Sequence, residues 1–467
     1  MDTHAPHDTH HHDGRRVEDQ RLITGTGKYA ADWSVPNQLY GHFVRSDHAH
    51  AEIASINTKL ALAHPGVTHV FTGADAVAAG YVRVAHVLGT PGKGGMKARA
   101  LDRPVLAHGK VRFVGEAVAL VVAESAAAAA DAAELVEIEY RELRAIVNPE
   151  QALAPGATQL DDAVPGNLVY EAETGDEAAV AAAIRNAAHV TRLRVDATRV
   201  TPCPMEPRAC MVAYNAVADS YHFNVVMQGV TTLRKMMSSW TKVPEDKLIF
   251  EALDVGGGFG QRTPAYPEYC ALMLAAEASG RPVKWVSSRV ESFLTDNHGR
   301  GNIAEGELAM DRDGRFVAFR LNWIADMGAY LTPGSGGHIR NTTTCLTGVY
   351  DIPAAYALFR VPLTNTTPVG SYRGAGRPDI AYVVERFVDQ AAVELGMDKA
   401  DLRRRNFIPP HAFPYKTPTG AVYENADFPG VLSKALVLAD WAGFDARRAQ
   451  SAKAGKLRGI GISTVIE

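Results

Sequence analysis

The chain has 467 residues, 48 Lys and Arg against 52 Asp and Glu, a net charge of −4, and a hydrophobic share of 46%. That leaves room for two or three domains with substantial cores, implies no polyanion partner such as nucleic acid, and includes no apolar run near the ~18 residues of a membrane span. Cys203, Cys210, Cys270 and Cys345 form no C-x-x-C pair, which excludes a cysteine-ligated iron–sulfur cluster or structural zinc in the chain and points to free thiols in the cytoplasm.

Residues 1–15 carry His4, His7, His10, His11 and His12 among Asp, Thr and Pro, and this patternless polar run predicts a disordered tail. Arg15-Arg16 is followed by Val-Glu-Asp-Gln-Arg rather than by an apolar segment, so it is not read as a twin-arginine export signal. Residues 16–147 read as one compact α+β unit. Strands are predicted over 39–45, 51–56, 68–72, 110–114 and 117–123, then an alanine-rich helix over 126–135 capped by Ser125, then a strand over 136–140. Residues 148–166, rich in Pro, Ala and Gly, read as a linker.

The next unit, 167–407, opens with a helix over 178–188 and a strand over 189–195. Thr201-Pro202-Cys203-Pro204-Met205-Glu206-Pro207-Arg208 is a rigid loop, in which Glu206 is expected to fix a turn with Arg208. Strands 210–214 and 221–227 form a hairpin, and Gln228 stands where the second gives way to a helix over 231–240. A β-rich segment, 247–253, leads into Asp254-Val255-Gly256-Gly257-Gly258-Phe259-Gly260-Gln261. A helix over 266–277 with Pro267 in its first turn and a strand over 283–287 follow. Strands 302–310 and 315–323 flank the turn 311–314. A second glycine loop, Ser371-Tyr372-Arg373-Gly374-Ala375-Gly376-Arg377-Pro378, opens a helix over 380–395, and a further helix covers 399–406. Residues 457–466 are apolar and β-branched and predict a strand with an unpaired edge.

A strand, a glycine run and a helix make an anion-binding nest, because backbone N–H groups free of side chains can close on a phosphate or oxo group. A tight turn without ligand is the alternative, and Phe259 inside the run is what sets it apart. The dinucleotide fingerprint fails on spacing, since G-x-G-x-x-G starting at Gly256 needs glycine where Gln261 stands. A P-loop fails as well, because no Gly-Lys-Ser/Thr follows.

In order along the chain, several motifs together resemble the molybdopterin-binding large subunit of the xanthine dehydrogenase, aldehyde oxidase and carbon monoxide dehydrogenase family. They are the opening Arg16-Val-Glu-Asp-Gln-Arg-Leu-Ile-Thr-Gly-Thr-Gly-Lys-Tyr29, Val111-Arg-Phe-Val-Gly-Glu-Ala-Val118, Met205-Glu206-Pro207-Arg208, Gly256 to Gly260, and Tyr372 to Arg377. The resemblance implies an α+β fold: a hammerhead domain over 16–147, the first part of a mixed α+β molybdenum-cofactor domain over 167–407, and the start of a second over 408–467. It implies a molybdopterin cofactor in dinucleotide form bound by Gln228, Gly258, Phe259, Gly260, Arg373, Gly374 and Ala375, with no direct protein ligand to the metal. Gln228 would stand near an oxo group of molybdenum, and Arg373 beside the pterin. As alternatives, Gln228 caps the helix at Thr231 and Arg373 pairs with Glu385.

The resemblance also implies iron–sulfur and FAD subunits as partners, a small-molecule substrate, and oxidation of an aldehyde or N-heterocycle with water-derived oxygen. The family's general-base glutamate belongs to the second half of its cofactor domain. No catalytic residue is therefore expected in residues 1–467, and a second chain is expected to complete the site. The rival expectation is a truncated, non-catalytic remnant serving in assembly or binding. The loop around Gly374 and Ala375 lacks the cysteine of carbon monoxide oxidisers, which disfavours that reaction. Gln261-Arg262-Thr263 replaces the glutamate of the purine-oxidising branch, and Arg340 lies near that branch's substrate-orienting arginine.

Overall fold

Ala117–Ala123, the run Ala-Val-Ala-Leu-Val-Val-Ala, is buried at every position, as a continuous apolar strand must be when both faces are covered. It pairs antiparallel with Leu39–Arg45 and Val67–Thr72, while Ala126–Ala133, capped by the Ser125 hydroxyl on the Ala128 N–H, packs against it. The computed structural model describes residues 16–81, 88, 92–252 and 254–467, so the predicted tail, residues 1–15, lies outside them. The strand predicted over 110–114 is limited to Lys110–Val111, which joins Ala51–Asn57 and Glu137–Glu142 in a small sheet. Gly115, at φ +98°, turns the chain before the central strand begins.

The larger sheet does not stop at this unit. Leu39–Arg45 pairs in parallel with Val283–Val286, Leu39 opposite Val283, and the sheet continues through Ala209–Asn215 and Ser220–Val225 to Leu248–Glu251. The segment read as a linker holds the short helix Pro149–Leu153, capped by Asn148, and packs Ala152, Leu160 and Val164 into a neighbouring core. That core lies against a second sheet ordered Leu168–Gly175, Ala354–Pro362, Phe316–Ala325, Asn302–Met310, His189–Ala197. Pro267–Ser279 is buried along nearly all its length, which explains its Ala, Leu and Met content, and Gly280 in the left-handed conformation ends it.

The strand expected over 457–466 is not formed. Residues 456–467 carry no regular structure and are held by side chains instead. The Thr464 N–H donates to Glu385 Oε2 at 2.9 Å, and the Ile462 carbonyl accepts from Arg403 at 3.3 Å. Alternating apolar residues suffice for a strand only where a neighbouring strand offers a ladder, and among the described residues none lies beside this run.

Candidate cofactor site

The first glycine loop leaves Leu248–Glu251 and enters the helix Pro267–Ser279, with Gly257, Phe259 and Gly260 at φ +114°, +53° and +93°. A phenylalanine in the left-handed region costs about 1 kcal/mol, and such strain concentrates at working sites. A Cβ on Gly258 would fall 2.3 Å from Gln228 Cδ, so only glycine lets the glutamine cross the loop.

Gln228 does so with a defined orientation. Its Oε1 accepts the Gly260 N–H at 2.8 Å and the Arg262 N–H at 3.3 Å. With the oxygen occupied, the carboxamide NH2 remains as a neutral donor on the cleft wall. The helix Val230–Thr241 begins at Gly229 without a side-chain cap, so the capping alternative for Gln228 does not hold.

The second loop meets the first directly: the Arg373 N–H donates to the Phe259 carbonyl at 2.9 Å. Gly374, Ala375 and Gly376 all have positive φ. The loop's carbonyls are held from behind. Arg300 donates to the Tyr372 and Arg373 oxygens at 3.3 and 3.1 Å and stacks on the Tyr372 ring, and Asn341 Nδ2 donates to the Ala375 oxygen at 2.9 Å. Asp379, fully buried, pairs with Arg300 at 3.1 Å and accepts from Asn302 at 2.7 Å. Among the described residues, the N–H groups of Phe259 and Gly374 meet no protein acceptor.

Gln228, Phe259, Gly260, Arg373, Gly374 and Ala375 thus line one cleft of about 510 Å³ with Ser371 and Tyr372, while Gly258 lies beneath Gln228. Two concavities of similar size have other chemistry. One is a trough on the second sheet where Arg192, Arg194 and Arg320 are ion-paired, and the other is an apolar groove beside Phe428–Leu438. The Arg373 guanidinium makes no ion pair among the described residues. Glu385 is instead taken by Arg403 at 2.7 Å and by Tyr350, so the Arg373–Glu385 alternative falls.

Beneath the first loop, Arg262 pairs with Asp296 at 2.9 Å, and Asp296 also binds Arg208. Arg208 continues to Glu268 at 3.0 Å, and Glu268 to Arg45 at 3.0 Å. Burial alone would raise the Glu268 carboxyl, but the Arg208, Arg45 and Arg103 charges outweigh it and hold the group well below the usual range. Because Glu268 and Asp296 satisfy Arg208, the expected Glu206–Arg208 turn is not made. Glu206, also buried, accepts the Ala30 and Gly256 N–H groups at 3.0 and 2.6 Å, and burial raises its carboxyl against these two bonds. Gln261 is buried as well, its Nε2 3.4 Å from the Asn297 oxygen, and lines no part of the cleft; Arg340, on Ser335–Thr344, is exposed and does not line it either. Arg300 and Asn341 were not foreseen from sequence. The only local signal for Arg300 is its setting between Gly299 and Gly301.

Residues 160–407 match the family model for the molybdopterin cofactor-binding domain, and residues 24–144 match that for the aldehyde oxidase and xanthine dehydrogenase a/b hammerhead domain. The nicotine 6-hydroxylase large subunit of Paenarthrobacter nicotinovorans is 35% identical over 97% of this chain and 54% of its own length. The carbon monoxide dehydrogenase large chain of Hydrogenophaga pseudoflava is 34% identical over 96% and 57%. The crystal structure of quinoline 2-oxidoreductase from Pseudomonas putida 86 superposes with a TM-score of 0.88 at 34% identity, over 94% of this chain and 55% of that one. The chain therefore spans little more than half the length of these relatives. It belongs to the molybdopterin-binding large-subunit family of xanthine dehydrogenase, aldehyde oxidase and carbon monoxide dehydrogenase, and carries that family's hammerhead domain followed by its cofactor-binding domain.

Proposed function

We propose that this chain is the cofactor-holding part of a molybdenum hydroxylase that oxidises an aldehyde or N-heterocycle with oxygen from water. The observation that carries the reading is the meeting of Gln228, Phe259, Gly260, Arg373, Gly374 and Ala375 around one cleft. The cleft suits an anionic, oxygen-rich group: it pairs unengaged backbone N–H groups with a free amide donor and an unpaired guanidinium. When bound, a molybdenum–pterin group supplies two-electron oxidation coupled to oxygen transfer.

The chain's own residues bind and orient. Gln228 offers a hydrogen bond without adding charge, Phe259 and Gly374 offer backbone N–H groups, Gly260 lines the cleft and fixes the Gln228 amide, and Arg373 supplies the cation opposite the anionic group. In this reading the metal is held through its pterin, in dinucleotide form, with no direct protein ligand, in line with the match of residues 160–407 to the molybdopterin cofactor-binding domain. Relatives named for nicotine and quinoline support an N-heterocycle as substrate. Gly374 and Ala375 leave no thiol in the loop for a copper bridge, which argues against carbon monoxide.

In this reading residues 408–467 begin the second cofactor domain. The rest of it, with the general-base glutamate, comes from polypeptide beyond Glu467 or from a second chain. Electrons leave through iron–sulfur and FAD subunits, in line with relatives named as a large subunit and a large chain. No helix among the described residues is long and apolar enough to cross a membrane. We place the complex in the cytoplasm, in line with Cys203, Cys210, Cys270 and Cys345 being free thiols.

The test is to express the protein with its neighbouring reading frames and assay molybdenum and pterin. Stoichiometric metal and pterin co-eluting with flavin and iron are expected. A folded complex with neither metal nor pterin would instead identify a non-catalytic remnant.

A further inference from the structure

Two carboxylates tie the N-terminal stretch to the first glycine loop. Asp254, at the head of the loop, accepts the Lys28 N–H at 2.8 Å and the Arg21 Nε at 3.1 Å, and its own N–H donates to the Lys28 carbonyl at 3.2 Å. Two residues on, the Gly256 N–H donates to Glu206 Oε2 at 2.6 Å, while Oε1 of the same carboxylate accepts the Ala30 N–H at 3.0 Å. The Glu206 N–H closes on the Gly256 oxygen at 3.2 Å, and a Cβ on Gly256 would lie 2.5 Å from Glu206 Cβ, so this joint has no slack. Lys284 Nζ then fastens the end of the stretch through the Ala31 oxygen at 2.6 Å.

Residues 19–32 contribute nothing to the cleft lining, yet they are bonded to both ends of residues 254–256, immediately before the left-handed residues that form its wall. A short glycine-rich run has no side-chain packing of its own to hold it, so its conformation is set by whatever grips its ends. We propose that Glu206 and Asp254 are positioning residues: they clasp the N-terminal segment onto the loop and thereby hold it in the shape that retains the cofactor. The proposal rests on the molybdopterin reading above.

The test uses the full complex and two readouts. One is the rate of tryptic cleavage after Lys28, an exposed site inside the clasp, followed by mass spectrometry. The other is pterin and molybdenum retained through gel filtration. Glu206→Gln keeps one acceptor oxygen but turns an NH2 toward a backbone N–H, and Asp254→Asn sets an NH2 against the Lys28 N–H or the Arg21 guanidinium at the other end. Both are expected to speed cleavage about tenfold and to lower retained pterin in parallel, the scale of one lost charge-assisted hydrogen bond. Arg21→Ala alters only an exposed side chain and gives the same two readings if the buried variants do not fold. Faster cleavage with unchanged pterin would make the segment a surface strap and overturn the proposal. Loss of pterin with unchanged cleavage would overturn it too, by making the effect local to the loop. Wild-type complex without pterin would fail the cofactor reading itself, a result separate from any difference between variants.

Discussion

Arg373 donates its backbone N–H to the carbonyl of Phe259 at 2.9 Å, and this one bond makes a single wall out of two loops distant in sequence. It uses the Phe259 oxygen and the Arg373 nitrogen, while the Phe259 and Gly374 N–H groups stay unengaged among the described residues. Each loop carries one non-glycine residue in the left-handed region, Phe259 and Ala375, beside this joint. Strain of about 1 kcal/mol at each is tolerable because Gln228, Arg300 and Asn341 hold the loops from behind.

Gly258→Ala should separate the cradle from the fold. The new methyl would meet Gln228 Cδ at 2.3 Å, pushing the amide off the Gly260 N–H. Overpacking of this kind costs about 1–3 kcal/mol. Circular dichroism should stay native while pterin content falls at least severalfold.

Substitutions at Gln228 should divide its two roles. Gln228→Glu keeps an oxygen for the Gly260 N–H but removes the NH2 donor, so thermal stability should hold while cofactor content and turnover drop. Gln228→Ala also releases the loop N–H and should lose about 1 kcal/mol of stability, measured by denaturant melts.

Arg300→Ala should destabilise the protein by about 3 kcal/mol, because it strands the fully buried Asp379 carboxylate and frees two loop carbonyls. Arg300→Ala combined with Asp379→Asn should recover part of that stability without restoring pterin binding. A double-mutant cycle checks the coupling.

The pH dependence follows from Glu268. Its folded carboxyl is depressed, so the unfolded chain binds its proton first as pH falls. The stability it contributes is therefore fully present above the ordinary glutamate range, about pH 4.3, and is lost as pH drops toward the folded value. Melts from pH 7 to pH 3 should show this acid loss. Glu268→Gln should be less stable at pH 7, with a flatter profile below pH 5.

Short-range features were legible in the residues alone. The helix expected over 399–406 is found as Lys399–Asn406, with Asp398 accepting from the Ala400 and Asp401 N–H groups. The hairpin around 311–314 forms with Asn302–Met310 as its first strand. Caps, turns and glycine spacing depend on hydrogen bonds within a few residues, so the sequence by itself determined them, together with the two glycine loops, whereas Gln228, Phe259 and Arg373 were singled out as cofactor contacts through the family resemblance. Tertiary structure decided who pairs with whom. Glu206 serves Ala30 and Gly256 rather than Arg208, Glu385 serves Arg403 rather than Arg373, and Leu39 lies beside Val283 in one sheet. A buried charge takes whichever partner long-range packing brings within reach, and several arginines spaced along a chain are equivalent until packing chooses among them. The run 457–466 follows the same logic: its residues favour a strand, but side-chain bonds to Glu385 and Arg403, not a neighbouring ladder, hold its backbone.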